Sequence, residues 1–430
     1  MRYEQKRRPA RRHPLLGRVI PLVLAAVLSA CESLLEVEMP GQMTEDQLLD
    51  PRMAGMMVTS AIAGFECAHT SYILGAAGIT HEYLDASGWT TWMAFANRQV
   101  ESSTGAVNTS GCSAERGFGF FRPLQTARFQ GEQAYKAIVE FGPTSVSQAE
   151  SLLATAATYV GFVYTFLGEA WCEMVVDGGP LMTPQETLLK AEEWFTRAID
   201  HAAAVGAPIT APGTNDIGLL ATLGRARVRL DLGKNAEAAA DAALIPEGFL
   251  AVTTRSGAND DRRNMIFVHM SLNKFVTVGP SYRNVLLDGS PDPRVAVASA
   301  PDGVTNDGYT PWWNQLKYTS DVAPIPLARW EEAQLILAEV AGGEAAVPYI
   351  DNVRAAHGLP PYSGGTSPEE IRAAIVEERR REFFLEGRRH ADMLRYGVPF
   401  ATGVGHKGTP YGNTTCYPLA QAELDGNPNL

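Results

Sequence analysis

Residues 378–389 read Glu-Arg-Arg-Arg-Glu-Phe-Phe-Leu-Glu-Gly-Arg-Arg, and this stretch near the carboxyl end is the most distinctive in the chain. Within it, and at Glu377 just before it, Glu and Arg recur three and four positions apart. Side chains at that spacing are neighbours on one face of a helix, so these charges can pair with one another. The pattern therefore favours structural ion pairing over a phosphate or nucleic-acid patch.

Three pairs of helices are predicted in the part of the sequence that precedes this stretch. The first helix ends near Gly168, and Thr183-Pro184-Gln185-Glu186 begins the next as N-cap, first-turn proline and acidic first turn. Segments 219–244 and 330–356 repeat the arrangement, with turns at 232–235 and 342–343. The hairpins resemble tetratricopeptide repeats without their fixed period of roughly 34 residues, so other structure must interrupt them. An apolar stripe marks the first helix: Leu152, Ala156, Tyr159, Val163 and Phe166.

Segments rich in Gly, Pro, Asn and Asp interrupt the helices. The longest, 251–326, is too long for one ordinary loop. Short apolar runs at 275–278 and 295–297 predict small strands within it. We therefore expect a mostly α fold with one helical domain over residues 49–430. Its helical scaffold covers about 115–250 and 330–396, and its loop-rich insertion covers about 251–326.

The amino terminus predicts export and a lipid anchor. Residues 1–18 carry seven basic side chains against one acidic side chain. The apolar run 19–28 is far shorter than the roughly 20 residues that span a bilayer, and it ends in Leu28-Ser29-Ala30-Cys31. We expect residues 1–30 to be a lipoprotein signal peptide, Cys31 to be lipidated and residues 31–48 to form an acidic tether. A plain secretory signal with an incidental cysteine is the alternative.

The rest of the chain is acidic. Loss of residues 1–30 removes seven basic side chains and one acidic side chain, so the formal net charge becomes −18 instead of −12. An acidic body argues against binding to nucleic acid or anionic lipid. No later segment reaches the roughly 18 consecutive apolar residues of a spanning helix. We expect a body that is held beside a membrane.

Four cysteines remain after Cys31, an even number in a chain predicted to be exported. Cys67 and Cys112 flank one polar, glycine-containing insertion, whereas Cys172 follows a helix and Cys416 lies near the carboxyl terminus. Of the three possible pairings, we predict disulfides from Cys67 to Cys112 and from Cys172 to Cys416. Free buried thiols are the alternative.

Four stretches, in order, resemble the SusD/RagB family of outer-membrane nutrient-binding lipoproteins. They are WEEAQLILAE at 330–339, NVRAAHGLP at 352–360, ERRREFFLEGRR at 378–389, and YPL with ELDGNPNL between 417 and 430. The resemblance implies a SusD-like fold and no catalysis. It also implies a surface-exposed lipoprotein that captures oligosaccharides or other nutrients for a TonB-dependent, SusC-like barrel transporter. The chain is short for the family, and the 67–112 insertion is not among the matched motifs, so the ligand is not implied.

Two other functional classes remain open. One is a tetratricopeptide-type periplasmic adaptor that binds protein segments. The other is an exported glycoside hydrolase, because any Asp and Glu can meet in space at the required separation. The sequence has neither Gly-x-Ser-x-Gly nor a glycine-rich phosphate loop. We expect no catalytic residues, no metal site and no cofactor.

Aromatic residues outside the helical stripes predict a ligand surface. Sugars stack their apolar C–H faces on aromatic rings, while nearby amides bond to their hydroxyl groups. Segments 87–92 and 309–314 combine these residue types in loops. The alternative is that the rings pack the insertion onto the helices, since large aromatics are highly buried on average. The predicted ligand-binding residues are Trp89, Trp92, Tyr309, Trp312, Trp313 and Asn314.

Overall fold

The computed structural model of the protein describes residues 50–114 and 117–430, apart from the side chains at 301 and 302. The predicted signal peptide, the tether and Cys31 lie outside the described residues. Residues 50–430 group into one unit. Everything that follows concerns that unit.

Helices supply most of the described structure. In chain order they are α1 Ala54–Ile79, α2 Thr90–Ala96, α3 Gly105–Asn108, α4 Phe121–Phe141, α5 Ala149–Ala170, α6 Pro184–Val205, α7 Ile217–Asp231, α8 Asn235–Ala242, α9 Met265–Phe267, α10 Trp330–Ala341, α11 Val347–Ala356, α12 Pro368–Glu382, α13 Arg389–Tyr396 and α14 Gln421–Gly426. A π-helical turn, Val268–Leu272, directly follows α9. Turns of 3₁₀ helix lie at Pro51–Met53, Asp260–Arg262, Pro280–Tyr282, Pro293–Val295 and Gly343–Ala346.

The strands are short and form antiparallel pairs. They are β1 Tyr83–Asp85, β2 Ser113–Ala114, β3 Gly117–Phe118, β4 Leu250–Thr253, β5 Val276–Val278, β6 Leu286–Leu287, β7 Ser290–Pro291, β8 Val297–Val304, β9 Pro311–Gln315 and β10 Ile325–Arg329. The pairs are β1 with β5, β2 with β3, β4 with β10, β6 with β7 and β8 with β9. These two-stranded elements lie in the segments that connect the helices.

The three predicted hairpins are present as α5 with α6, α7 with α8, and α10 with α11. The predicted start of α6 is confirmed in detail. Thr183 Oγ1 accepts the backbone N–H of Glu186 at 3.2 Å, and the Glu186 carboxylate accepts the N–H of Thr183 at 2.7 Å. This capping box satisfies two backbone donors that the first turn of a helix leaves without partners.

Helix α1 lies outside the predicted scaffold, and its burial explains why. From Phe65 to Ile79 nearly every side chain is buried, polar ones included. A helix that is buried all round has no polar face, so it lacks the amphipathic period on which the prediction depended. The scaffold therefore begins well before residue 115.

Helix α5 is the centre of the scaffold. Within the described residues it is the one helix long and apolar enough to cross a membrane, and 89% of its apolar window is buried in the protein. It packs against α1, α4, α6 and α7. Its apolar sequence is thus explained by its place in the core.

Strands β4 and β10 pair with each other at the two ends of the insertion. Ile325 lies opposite Thr253 and Arg329 lies opposite Leu250, so the pair closes the segment between them. The predicted strand at 275–278 is present as β5. The predicted strand at 295–297 is partly wrong, because Pro293–Val295 forms a 3₁₀ turn and β8 begins only at Val297.

The stretch 378–389 crosses the end of α12 instead of lying within one helix. Arg380 and Arg381 pair with Glu377 on the same helix, as the spacing predicts. After Glu382 the chain turns, and Gly387 has φ +76°. A Cβ at Gly387 would lie 3.0 Å from the ring of Tyr72, so the turn requires glycine there. Other charges of the stretch, those of Glu378, Arg379, Glu382, Glu386 and Arg388, pair with other elements.

Both predicted disulfides are confirmed. Cys67 of α1 bonds to Cys112, with Cα atoms 5.7 Å apart. Cys172, just after α5, bonds to Cys416, with Cα atoms 5.1 Å apart. The second bond attaches the carboxyl-terminal segment to the central helix of the scaffold.

Candidate functional site

Strand β9 carries three of the predicted ligand residues on alternating faces. Trp312 and Asn314 point to the π-helical turn: the indole N–H of Trp312 donates to the Met270 carbonyl at 3.1 Å. The Ser271 hydroxyl donates to Asn314 Oδ1 at 2.8 Å. Because successive side chains of a strand point to opposite faces, Trp313 lies on the other side. There it packs against the core, with the Arg283 guanidinium 5.1 Å from its ring centroid.

The loop before β9 presents Tyr309, which is 66% exposed. Asp307 organises this loop: its carboxylate accepts the backbone N–H groups of Tyr309 at 3.1 Å and of Thr310 at 2.9 Å. Burial raises the pKa of Asp307, but the Lys407 ammonium and the hydrogen bonds from Thr310 and Tyr309 outweigh burial and hold the pKa well below its ordinary value. The loop is therefore built around an ionised carboxylate.

Lys407 links this loop to the segment that carries Trp89. Its ammonium lies 2.6 Å from the Asp85 carboxylate and 2.8 Å from that of Asp307. The backbone N–H of Asp307 also donates to the Ala86 carbonyl at 3.0 Å. We call Lys407, Asp85 and Asp307 the lysine clasp. It holds together three segments that are far apart in the sequence.

Trp89 and Trp92 have different environments. Trp89 stands at the start of α2, is partly buried and packs at the edge of the core. Trp92 has no exposed surface, so a ligand cannot stack on it. This corrects the prediction for Trp92, which is a core side chain of α2. Its ring contacts four others, those of Tyr83, Phe118, His269 and Phe275.

Lys274 lies beside Trp312. Its ammonium is 4.3 Å from the centroid of the Trp312 ring. Its carbonyl accepts the backbone N–H of Asn306 at 2.9 Å, which joins it to the loop of Tyr309. Lys274, Trp312, Asn306 and the loop thus adjoin one another.

We call the surface formed by residues 86–89, 272–274, 306–310, Trp312 and Asn314 the insertion face. It borders a cleft of about 540 Å³ on the outer side of the π-helical turn. Asn273, Asp261 and Arg263 contribute polar groups to the cleft, and His269 lies at its floor. Burial, together with the charge of Arg263, lowers the pKa of His269 to about 3, so its ring is neutral. A π-helical turn beside a polar cleft is an arrangement often found at functional sites.

The lysine clasp and Lys274 were not predicted from the sequence. Lys407 is 322 positions from Asp85, and no local pattern connects residues so far apart. The turn at 306–308 was visible as Asn-Asp-Gly. Its function in holding two loops was not visible, because that depends on tertiary contacts.

A mostly α scaffold of helical hairpins with a long insertion is the architecture expected of the SusD fold. Residues 313–429 match the model of the SusD family, described as SusD/RagB. No curated protein matches the sequence.

Solved structures share the fold over most of the chain at low identity. A SusD superfamily protein from Bacteroides vulgatus is 14% identical, with a TM-score of 0.67, over 87% of this chain and 97% of that one. A laminarin-binding SusD-like protein is 16% identical, with a TM-score of 0.63, over 88% and 99%. Surface glycan-binding protein A from Bacteroides uniformis is 15% identical, with a TM-score of 0.60, over 87% and 98%.

Residues 313–429 carry the match to the SusD family, and the mostly α fold is the SusD fold. The resemblance seen in the four sequence stretches is thereby confirmed. The laminarin-binding protein and surface glycan-binding protein A are both named as binding proteins.

Proposed function

We propose that the protein is a surface-exposed outer-membrane lipoprotein that binds oligosaccharides and delivers them to a TonB-dependent, SusC-like transporter. The observation that carries the proposal is the insertion face, where the lysine clasp joins the loop of Tyr309 to the segment of Trp89. Trp312 adjoins the same loop through Lys274. These contacts hold the three segments that carry the rings beside one another.

This face has the chemistry that sugars require. The exposed ring of Tyr309 and the partly exposed rings of Trp89 and Trp312 offer stacking surface. Asn306 is exposed, and Asn314 lies two positions beyond Trp312 on the same side of β9, so amide groups stand near the rings. The names of the laminarin-binding and glycan-binding neighbours support a sugar ligand.

Hydrolysis is less well supported than binding. Asp85 and Asp307, the carboxylates of the loops that carry Trp89 and Tyr309, are both paired with Lys407. A glycosidase needs one carboxylic acid that protonates the leaving group and a second that acts as base or nucleophile. Two carboxylates that share one ammonium hold loops in place, which favours a structural role over that chemistry.

Localisation and delivery rest on the sequence and the family. The run Leu28-Ser29-Ala30-Cys31 supports a lipid anchor. The match of residues 313–429 to the SusD family supports the outer membrane and the barrel partner. Outer-membrane fractionation of wild type and Cys31→Ser tests the anchor: the variant should be lost from the outer-membrane fraction, and its retention there as a mature-sized species would contradict the anchor.

Ligand binding is tested on the mature protein with an array of neutral and charged oligosaccharides, followed by calorimetry on the best ligand. Tyr309→Ala and Trp312→Ala should weaken binding at least roughly tenfold, because each removes a stacking surface. Phe129→Ala, at a 50% exposed ring on α4 away from the insertion, is the matched control and should bind as wild type does. If no oligosaccharide binds, the proposal is wrong.

A further inference from the structure

Lys274 places a positive charge on the insertion face. Its ammonium lies over the ring of Trp312, 4.3 Å from the centroid. Within the described parts of the chain, its ammonium forms no ion pair with a carboxylate. The lysine of the neighbouring clasp, Lys407, instead lies between two carboxylates. Among the described residues, the charge of Lys274 is therefore open to a partner.

Hydrogen bonds fix the backbone conformation at Lys274. Lys274 has φ +54°, in the left-handed region that residues with a Cβ seldom adopt. Two hydrogen bonds maintain the conformation: Asn306 N–H donates to the Lys274 carbonyl, and Phe275 N–H donates to the His269 carbonyl, both at 2.9 Å. A glycine would adopt this conformation at lower cost. Lysine here directs its side chain over Trp312.

We infer that Lys274 makes the insertion face selective for anionic oligosaccharides, whose rings bear a carboxylate or a sulfate ester. The inference rests on the proposed function and specifies its ligand class. A neutral pyranose that stacks on Trp312 must displace the ammonium from the ring and gives it no charged partner. An anionic sugar can stack and pair with the displaced ammonium at the same time, so it recovers the lost cation–π attraction.

The surroundings set a requirement on such a ligand. Without residues 1–30 the formal net charge is −18, so the body as a whole repels anions. Anion binding here thus requires a local cation, and Lys274, whose ammonium forms no ion pair with a carboxylate among the described residues, meets that requirement. The exposed Asn306 and the amide of Asn314 adjoin the ring and can bond to sugar hydroxyl groups.

The test compares matched ligands that differ only in charge. Oligogalacturonate and its methyl ester share one backbone, and a sulfated oligosaccharide and its desulfated form make a second pair. We expect wild type to bind the charged member of at least one pair roughly tenfold more tightly, and to lose that preference at high salt. The pair that shows the preference identifies the anion as carboxylate or sulfate.

Two variants assign the effect to Lys274. Lys274→Met keeps an aliphatic cover on the ring without the charge, and should bind charged and neutral members equally. Lys274→Arg keeps the charge and should keep the preference, which separates a role for charge from a role in folding. Lys136→Met, at a 67% exposed lysine on α4, is the control and should behave as wild type does.

The outcomes separate this inference from the proposed function. Equal binding of charged and neutral members by wild type, or an unchanged preference in Lys274→Met, overturns the inference and leaves oligosaccharide binding intact. Failure to bind any charged or neutral oligosaccharide overturns the proposed function and this inference with it.

Discussion

At the scale of single residues, Glu82 makes stability depend on pH. It is fully buried, and its carboxylate accepts the backbone N–H of Leu385 at 2.8 Å. Burial raises its pKa from 4.5 to about 7, against the opposing effects of that hydrogen bond and of Arg389 and Lys317. The folded state thus holds this proton more tightly than the unfolded state. The associated stability is present below pH 4.5 and is lost as pH rises through about 7.

Glu82→Gln should remove that pH dependence. Gln keeps an oxygen that accepts the Leu385 N–H but never ionises. Relative to wild type, the variant should gain free energy of unfolding as pH rises from 4.5 to 8, by up to roughly 3 kcal/mol. Urea unfolding of both proteins at several pH values measures the difference. A difference that stays constant with pH would show that Glu82 does not titrate in this range.

Trp92 and Tyr309 should respond to truncation in opposite ways. Trp92→Ala removes a fully buried ring and should lower the free energy of unfolding by about 3–5 kcal/mol. Tyr309→Ala removes a ring that is 66% exposed, so stability should change by less than about 0.5 kcal/mol while glycan affinity falls. Urea unfolding and calorimetry on the same samples separate the two. If the Trp92→Ala protein is as stable as wild type but does not bind the ligand, Trp92 belongs to the ligand surface after all.

These two aromatics also show where sequence reasoning ends. Both were visible as rings outside the helical stripes. The burial of Trp92 was not visible, because it depends on β1 and β3, which lie against α2. An exposed tyrosine and a core tryptophan therefore received the same interpretation.

At the scale of elements, the lysine clasp should order the insertion face. Lys407→Met leaves Asp85 and Asp307 close together without the ammonium between them, so the two loops should separate. Amide exchange at residues 305–310 should accelerate, and glycan affinity should fall roughly tenfold. Hydrogen-exchange mass spectrometry and calorimetry measure these effects. The same exchange rates in Lys407→Met and in wild type would show that the loops hold their positions without the clasp.

Elements were predictable where an apolar stripe could be read from the sequence. Helices α6 and α7 keep polar positions that are not buried, so their stripes could be read directly. Helix α5 was recognised from its stripe although it is buried on all sides from Leu153 onward. From Phe65 onward, helix α1 is buried on nearly every side, and the helix was missed. Strands β4 and β10 pair across the whole insertion, and no local signal indicates such a partner.

At the scale of the whole molecule, the stretch 378–389 joins the insertion to the helices. Glu378 pairs with Arg294 at 2.5 Å and with Arg354 at 2.7 Å, and Arg294 belongs to the insertion. Glu382 pairs with Arg329 of β10 at 2.9 Å. The predicted ion pairing is confirmed, but most of it is not local. The charges beyond Glu382, where α12 ends, cannot meet partners one helical turn away. Glu378 and Glu382 lie on α12 itself but pair with arginines of other elements.

The two disulfides should contribute unequally to the stability of the molecule. In the chain-entropy model a cross-link stabilises by restricting the unfolded chain, and the effect grows with the length of the closed loop. Cys172 and Cys416 are 244 positions apart, whereas Cys67 and Cys112 are 45 apart. The model predicts losses on the order of 5 kcal/mol and 4 kcal/mol when each pair is replaced by serine.

The Cys172→Ser/Cys416→Ser variant should therefore unfold at lower urea than the Cys67→Ser/Cys112→Ser variant. Its carboxyl-terminal segment should nevertheless remain docked, because Tyr417 is fully buried and exchanges backbone hydrogen bonds with Ala170 and Cys172. Urea unfolding of both variants gives the order of stabilities, and proteolysis of the tail reports its docking. If the Cys67→Ser/Cys112→Ser variant is the less stable of the two, unfolded-chain entropy does not control the contribution of these bonds. Native contacts around Cys112 would then contribute more, such as the hydrogen bond from the Ser71 hydroxyl to its carbonyl.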